Sequence, residues 1–229
     1  MKLLFYRYGS ICEPDIIAGF QELGLEVSEL TEEIFNKSVS PQECIHLISN
    51  FLLEHPMDFV FTVNFYPSIS EVCNIFHIPY LCWIVDSPVM ELYTASVQNP
   101  WNRIFLFDRC IYQEISPLNP DCVFYLPLAT NVAQKDNLIR SKSQRQLDAF
   151  HADVSFIGSL YTEKCAYDRL SKDVSPYLTG YLNGLMEAQL KVYGYYFVEE
   201  ILPDSIVDEF VDHFQYFYSL PGKNFLSNR

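Results

Sequence analysis

Several apolar segments of this chain end in polar or aromatic residues that could bind a ligand. In open parallel sheets, ligands bind outside the carboxyl ends of the strands, and such residues would gather there. Rings, hydroxyls, amides and carboxylates together suit a polyol or sugar, because these ligands present C–H faces and hydroxyl groups at once. The alternative is that they are ordinary loop residues whose side chains bond to nearby backbone. The predicted binding residues are Tyr8, Gly9, Ser10, Asn64, Tyr66, Ser87, Asp108 and Asn131.

The most informative of these segments ends at Asp86. Residues 81–85 form an uninterrupted apolar run, which Asp86, Ser87 and Pro88 follow directly. Continuous apolar runs of this kind are typical of strands buried on both faces of a parallel sheet. Asp86 is therefore predicted to be a functional carboxylate at a strand end. The sequence leaves open the alternative that its side chain caps the next helix.

A second candidate site lies at Gly158 and Ser159. Residues 153–160 predict another buried strand that ends in a glycine turn. Such a turn lets backbone N–H groups approach a phosphate, and Lys164 or Arg169 would add positive charge. Because the segment has one glycine and neither a G-x-G-x-x-G nor a Walker pattern, a tight turn without a ligand is the alternative.

Strand-like and helix-like segments alternate through the first half of the chain. The pattern predicts strands at residues 2–8, 25–30, 59–64, 79–85, 103–107 and 123–126. Helical patterns lie between them, at residues 13–23, 41–55, 69–76, 90–97 and 111–115. This alternation predicts an α/β protein with a doubly wound, mainly parallel Rossmann-like sheet.

The chain changes character after residue 131. Residues 1–131 are predicted to form the sheet domain, and the polar residues 132–152 a linker with a helical piece around 144–150. Residues 153–229 predict one strand and then helices, so the C-terminal part is a helical extension. The helices after residue 175 carry more apolar surface than two helices hide by themselves. They are expected to pack on the sheet domain, on a missing domain or on a second copy, as a homodimer contact.

Composition narrows the classes of partner. The net charge of −14 argues against nucleic acid and against an anionic membrane surface. No apolar run approaches the roughly 20 residues that span a membrane. The seven cysteines are odd in number and lack C-x-x-C spacing, which favours reduced thiols in the cytoplasm. The five histidines do not pair at ligand spacing, so no bound metal is expected.

Four short segments together resemble a known family. They are residues 5–10 (Phe-Tyr-Arg-Tyr-Gly-Ser), 72–77 (Val-Cys-Asn-Ile-Phe-His), 83–88 (Trp-Ile-Val-Asp-Ser-Pro) and 153–160 (Asp-Val-Ser-Phe-Ile-Gly-Ser-Leu). The family is the bacterial glycosyltransferase-like proteins related to the spore-maturation glycosyltransferases. In these, an N-terminal domain of unknown function precedes a group-1-type glycosyltransferase domain. The likeness extends from Met1 to about Tyr196.

The resemblance implies a GT-B glycosyltransferase, in which two Rossmann-like domains face a cleft. The N-terminal domain takes a small-molecule or glycan acceptor, and the C-terminal domain takes a nucleotide-sugar donor without a bound metal or other resident cofactor. Asp86 would be the base for the acceptor hydroxyl, and Gly158 and Ser159 would begin the donor side.

The chain departs from the family pattern in its second half. A complete donor domain needs its own sheet, so residues 153–229 are expected to be an incomplete donor half that is truncated and inactive alone. The alternative, from a different class, is a non-catalytic α/β module that binds a small molecule or a partner protein.

Overall fold

A parallel sheet of six strands forms the centre of the first half of the chain. The computed structural model describes residues 1–158 and 174–214, so the predictions for Ser159, for residues 160–173 and for 215–229 lie outside the described residues. The strands are β1 Lys2–Tyr6, β2 Glu26–Leu30, β3 Phe59–Val63, β4 Tyr80–Ile84, β5 Asn102–Leu106 and β6 Val123–Tyr125. Their order across the sheet is β2-β1-β3-β4-β5-β6, and every neighbouring pair runs parallel.

Helices pack on both faces of this sheet. The helices within residues 1–149 are α1 Glu13–Glu22, α2 Glu32–Phe35, α3 Pro41–Glu54, α4 Pro67–Phe76, α5 Arg109–Ile115, α6 Val132–Arg140 and α7 Gln144–Asp148. Ile17 of α1 packs against one face, whereas Ile48 of α3, Ile69 of α4 and Ile115 of α5 pack against the other. The predicted class, an α/β protein with a doubly wound Rossmann-like parallel sheet, is confirmed.

The apolar runs form strands because both of their faces are buried. In β1, Leu4 and Tyr6 belong to the core beneath α3 and α4, while Leu3 and Phe5 belong to the core beneath α1. All five residues of β3 are buried. Because burying one large apolar side chain contributes about 1.5–3 kcal/mol, these runs hold each strand end at a fixed place.

Local signals set where several helices begin. Ser40 and Glu43 form the capping box that their spacing predicts. The Glu43 N–H donates to Ser40 Oγ at 3.2 Å, and the Ser40 N–H donates to Glu43 Oε2 at 2.7 Å. Pro41 and Pro67 occupy the first positions of α3 and α4, where a missing N–H does no harm.

Two parts of the first half differ from the prediction. Residues 90–97 form two short 3-10 segments, Met90–Tyr93 and Ala95–Gln98, instead of one helix. The predicted linker at 132–152 begins with α6, in which no residue is buried. A polar helix lacks the apolar stripe on which helical periodicity depends, so the pattern missed it. Compact packing divides the chain at Met1–Ala149, here called the sheet unit, and Phe150–Arg229, the second unit.

The described part of the second unit is helical, with α8 Pro176–Gln189, α9 Val198–Ile201 and α10 Asp204–Phe214. The strand predicted at 153–160 is wrong over residues 153–158, which form no strand. Val154 and Ile157 there are 91% and 97% exposed. An apolar run needs neighbouring strands to be stable as a sheet, and the described residues of this unit contain none. The homodimer contact through these helices stays a prediction.

Three further features bear on membranes, metals and redox state. Within residues 1–158 and 174–214, no helix is long and apolar enough to cross a bilayer. The same ranges contain no group of three or more His, Cys, Asp or Glu side chains arranged to hold a metal ion. The cysteines described in these ranges are free thiols.

Candidate functional site

The strand order reverses between β1 and β3. The chain passes from β1 to β2 on one side and then to β3 on the other, with β4, β5 and β6 beyond it. In doubly wound sheets, such a reversal opens a crevice at the carboxyl ends of the two strands, and ligands bind there. Tyr8 follows β1 and Asn64 follows β3, so both stand at this point.

Asn64 connects the ends of three strands. Its Nδ2 donates to the Tyr8 hydroxyl at 3.2 Å and to Asp86 Oδ2 at 2.7 Å. Its Oδ1 accepts from the backbone N–H groups of Val85 at 3.0 Å and Asp86 at 3.4 Å. These contacts confirm that the loops after β1, β3 and β4 converge, because they bring Tyr8, Asn64 and Asp86 into one hydrogen-bonded group.

The backbone of Asn64 has a left-handed conformation, with φ of 61°. Asparagine tolerates this region better than other residues with a Cβ. The hydroxyl of Thr62 donates to the Asn64 carbonyl, and the Tyr66 N–H donates to the buried Tyr80 hydroxyl at 2.9 Å. Thr62 and Tyr80 are themselves joined at 2.7 Å. Buried groups beneath the loop therefore fix how Asn64 and Tyr66 leave the sheet.

Asp86 is exposed and is oriented by Asn64. The next helical segment has Val89 at its N-cap and no side-chain cap, so Asp86 does not cap it. Among the described residues, Oδ1 of Asp86 has no hydrogen-bond partner, whereas Oδ2 is held by the Asn64 amide. The carboxylate thus has a fixed position and one oxygen available to a hydroxyl donor.

Ser87 and Asp108 form a second group beside the first. The Ser87 hydroxyl donates to Asp108 Oδ2 at 2.7 Å, and the N–H groups of Cys110 and Ile111 donate to Oδ1 at 2.8 and 3.3 Å. The hydrogen bond from Ser87 is the largest cause that holds the pKa of Asp108 below its ordinary value. The two N–H groups add to this effect, and partial burial opposes it. Asp108 is therefore the N-cap of α5, linked to the Asp86 loop through Ser87.

Two tyrosines provide aromatic surface at this edge. The rings of Tyr8 and Tyr66 lie 6.5 Å apart and tilted, and both side chains are half-buried. Burial raises the pKa of Tyr8, and the Asp86 charge adds to this although a Ser10 hydrogen bond opposes it. Burial and then the Glu33 carboxylate raise the pKa of Tyr66. Both hydroxyls stay protonated at neutral pH, beside rings that suit a C–H face.

The sequence reasoning missed the groups that hold the turn between β1 and α1. Glu13 is fully buried; its Oε1 accepts from the N–H groups of Tyr8 and Gly9, each at 3.0 Å, and its Oε2 from Arg7 Nε at 2.9 Å. Lys37 donates to the Tyr8 carbonyl, and its Nζ lies 5.9 Å from the centre of the Tyr8 ring. The sequence did contain one signal for these groups, namely the opposite charges of Arg7 and Glu13 on either side of the turn at Gly9.

The remaining predicted residues have other surroundings. The Ser10 hydroxyl contacts Cys12 Sγ at 3.1 Å. The Asn131 side chain caps α6, accepting from the Gln134 N–H at 3.0 Å, and contacts Asp15 at 3.4 Å. No hydrogen bond among the described residues connects Asn131 with Asn64 or Asp86. Gly158 lies in the second unit and is exposed.

No protein-family model matches the chain, and no curated protein matches it at a significant level of sequence similarity.

Proposed function

We propose that the sheet unit binds the acceptor of a glycosyltransferase that uses a nucleotide-sugar donor. The observation that carries the proposal is the Asp86 carboxylate, fixed at the carboxyl end of β4 by a 2.7 Å bond from Asn64. One oxygen of Asp86 is left to meet a hydroxyl group. Tyr8 and Tyr66 supply half-buried rings beside it, as expected for a ligand with C–H faces and hydroxyls.

In this proposal Asp86 is the general base. The acceptor hydroxyl donates to Oδ1 of Asp86, and its oxygen attacks the anomeric carbon of the donor sugar. The proton passes to the carboxylate while the bond to the nucleoside diphosphate breaks, and the diphosphate leaves with the bonding electrons. A base positioned in this way contributes about 10²–10⁴-fold to the rate.

The donor side of the proposal rests on the resemblance to the glycosyltransferase family. Gly158 stands in a segment that does not form the predicted strand, and Ser159 lies outside the described residues. The free thiols of the described cysteines support a reducing compartment, which we take to be the cytoplasm.

The test uses the full-length protein with UDP-glucose and GDP-mannose as donor probes and a panel of neutral saccharides as acceptors. Release of nucleoside diphosphate is measured. We expect Asp86→Asn to lower kcat by about 100-fold or more, as loss of a general base does. Asp58→Asn is the matched control. Asp58 immediately precedes β3, so it lies at the amino ends of the strands, away from Asp86, and it accepts a hydrogen bond from the Lys2 N–H. Equal rates for Asp86→Asn and wild type would refute the assignment.

A second candidate is a binding module without catalysis. It is favoured because both acids at the carboxyl ends of the strands accept hydrogen bonds from protein groups. Asp86 accepts from Asn64, and Asp108 accepts from Ser87. Saccharide binding at the strand ends without release of nucleoside diphosphate from either donor probe would support this candidate over the enzyme.

A further inference from the structure

The turn between β1 and α1 is built as an anion-binding site. Successive N–H groups of Tyr8 and Gly9 point at one oxygen, each at 3.0 Å. Gly9 has φ of +93°, a left-handed conformation that glycine adopts without strain. Arg7 Nε adds a charged donor 2.9 Å from the other oxygen of the same group. Concave arrangements of successive N–H groups bind anions.

The anion in this site belongs to the chain itself. It is the carboxylate of Glu13, which is fully buried in the first turn of α1. In doubly wound proteins, the turn after the first strand is where a nucleotide phosphate commonly binds, at the N-terminus of the following helix. Here the donors that would meet a phosphate are already occupied by Glu13.

The charges around this turn also disfavour an added anion. Among the described residues, the hydrogen bonds around the turn involve four carboxylates and two cations. The carboxylates are those of Glu13, Glu29, Glu33 and Asp86, and the cations are Arg7 and Lys37. Arg7 bonds to both Glu13 and Glu29, and Lys37 bonds to the Tyr8 carbonyl.

We propose that the strand-end site takes an uncharged saccharide or polyol and excludes phosphate-bearing ligands, because the Glu13 carboxylate occupies the anion position of its first turn. That the ligand is a saccharide rests on the proposed acceptor function; the exclusion of phosphate rests on Glu13 alone. A phosphate that displaced Glu13 from its three donors would leave a buried carboxylate without partners. A phosphate that did not displace it would lie beside carboxylates that no cation in the described part of the chain neutralises. Both are unfavourable.

The first experiment tests the exclusion without any assumption about function. Inorganic phosphate is titrated into ¹⁵N-labelled full-length protein, and the amide signals of Tyr8 and Gly9 are followed. We expect no saturable shift in wild type, and phosphate binding about tenfold tighter or more in Glu13→Ala, which empties the position. Saturable binding to wild type at these two amides, as tight as to Glu13→Ala, would overturn the proposal.

Glu13→Gln keeps the result decisive if Glu13→Ala does not fold. Its amide oxygen still accepts from Tyr8 and Gly9, but the negative charge is gone. We expect phosphate to bind this variant more tightly than wild type. An affinity no better than that of wild type would mean that the carboxylate charge does not exclude anions, and the proposal would be wrong.

The second experiment compares glucose with glucose 6-phosphate at the amides of Tyr8, Asn64 and Asp86 in the wild-type protein. We expect glucose to bind about tenfold more tightly or better, since like charges disfavour the phosphate. Equal or tighter binding of glucose 6-phosphate overturns the inference. If neither sugar shifts these amides, the proposed acceptor function loses its support, while the phosphate titration still decides the role of Glu13.

Discussion

The Nδ2 atom of Asn64 donates to Oδ2 of Asp86 at 2.7 Å, and this bond joins the ends of β3 and β4. The same side chain also bonds to the Tyr8 hydroxyl and to the N–H groups of Val85 and Asp86. An amide side chain has two donor hydrogens and two acceptor lone pairs, and protein groups use all of them. Asn64 therefore organises the strand ends, and Asp86 is the residue with capacity left for a ligand.

Replacing Asn64 separates the effect of its side chain from that of its backbone. With φ at 61°, glycine fits freely and alanine is strained. We expect both variants to be less stable than wild type, and Asn64→Ala to have a free energy of unfolding about 1 kcal/mol below that of Asn64→Gly. Urea unfolding followed by tryptophan fluorescence measures this, because both tryptophans of the chain, Trp83 and Trp101, lie in the sheet unit. Equal stability of the two variants would contradict the role of the left-handed backbone.

Tyr80 supports the same loop from below. Its buried hydroxyl accepts from the Tyr66 N–H at 2.9 Å and contacts the Thr62 hydroxyl at 2.7 Å. Tyr80→Phe leaves these buried groups short of a partner, so we expect the free energy of unfolding to fall by about 1–3 kcal/mol. Tyr125→Phe is the control: Tyr125 is 44% exposed, and we expect a change within about 0.5 kcal/mol. A Tyr80→Phe variant as stable as this control would show that the hydroxyl contributes nothing.

The bond from Ser87 to Asp108 makes a pH-dependent contribution to stability. Because the pKa of folded Asp108 is lower than its ordinary value, the ionised form stabilises the folded protein above the unfolded pKa of about 4. That contribution disappears as the pH falls through the lower folded pKa. We therefore expect Ser87→Ala to destabilise the sheet unit more at pH 6 than at pH 3, measured as the difference in urea midpoint from wild type. An equal difference at both pH values would contradict this coupling.

The central strands were predictable because each is an apolar run that the sheet buries, whereas β2 at the edge of the sheet contains no buried residue. β1, β3 and β4 satisfy this condition on both faces, and their ends then fixed the neighbourhood of Tyr8, Asn64 and Asp86. The segment at 153–158 also carries apolar residues, Val154, Phe156 and Ile157, yet it forms no strand in the described structure. Apolar composition specifies a strand only where a neighbouring strand offers hydrogen bonds, and a single sequence does not show which neighbours are present.

The roles of individual polar residues were less predictable than the fold. Asn131 was predicted as a ligand contact, but its side chain caps α6, and residues of one type serve both purposes. Glu13 was missed because an acid in the first turn of a helix ordinarily remains exposed and complements the helix dipole. Only the path of the β1–α1 turn brings two N–H groups and Arg7 onto its carboxylate.

Arg7 is the cation on which the buried Glu13 depends. The side chain of Glu13 is 0% exposed and that of Arg7 20%, whereas the second partner of Arg7, Glu29, is 35% exposed. We expect Arg7→Met to lower the free energy of unfolding by about 3 kcal/mol, because it leaves a buried carboxylate without its cation. Glu29→Gln, the matched control, removes a partly exposed partner and is expected to cost about 1 kcal/mol or less.

The charge origin of that loss can be isolated with a double variant. Arg7→Met combined with Glu13→Gln removes both charges, while the amide oxygen of the substituted side chain can still accept from the turn. Since the penalty in the single variant comes from an unpaired buried charge, we expect the double variant to be more stable than Arg7→Met alone. Urea unfolding of the four proteins, wild type included, gives the coupling between the two sites. A double variant that loses the sum of the two single changes would show that packing of the side chains, not their charges, holds this turn.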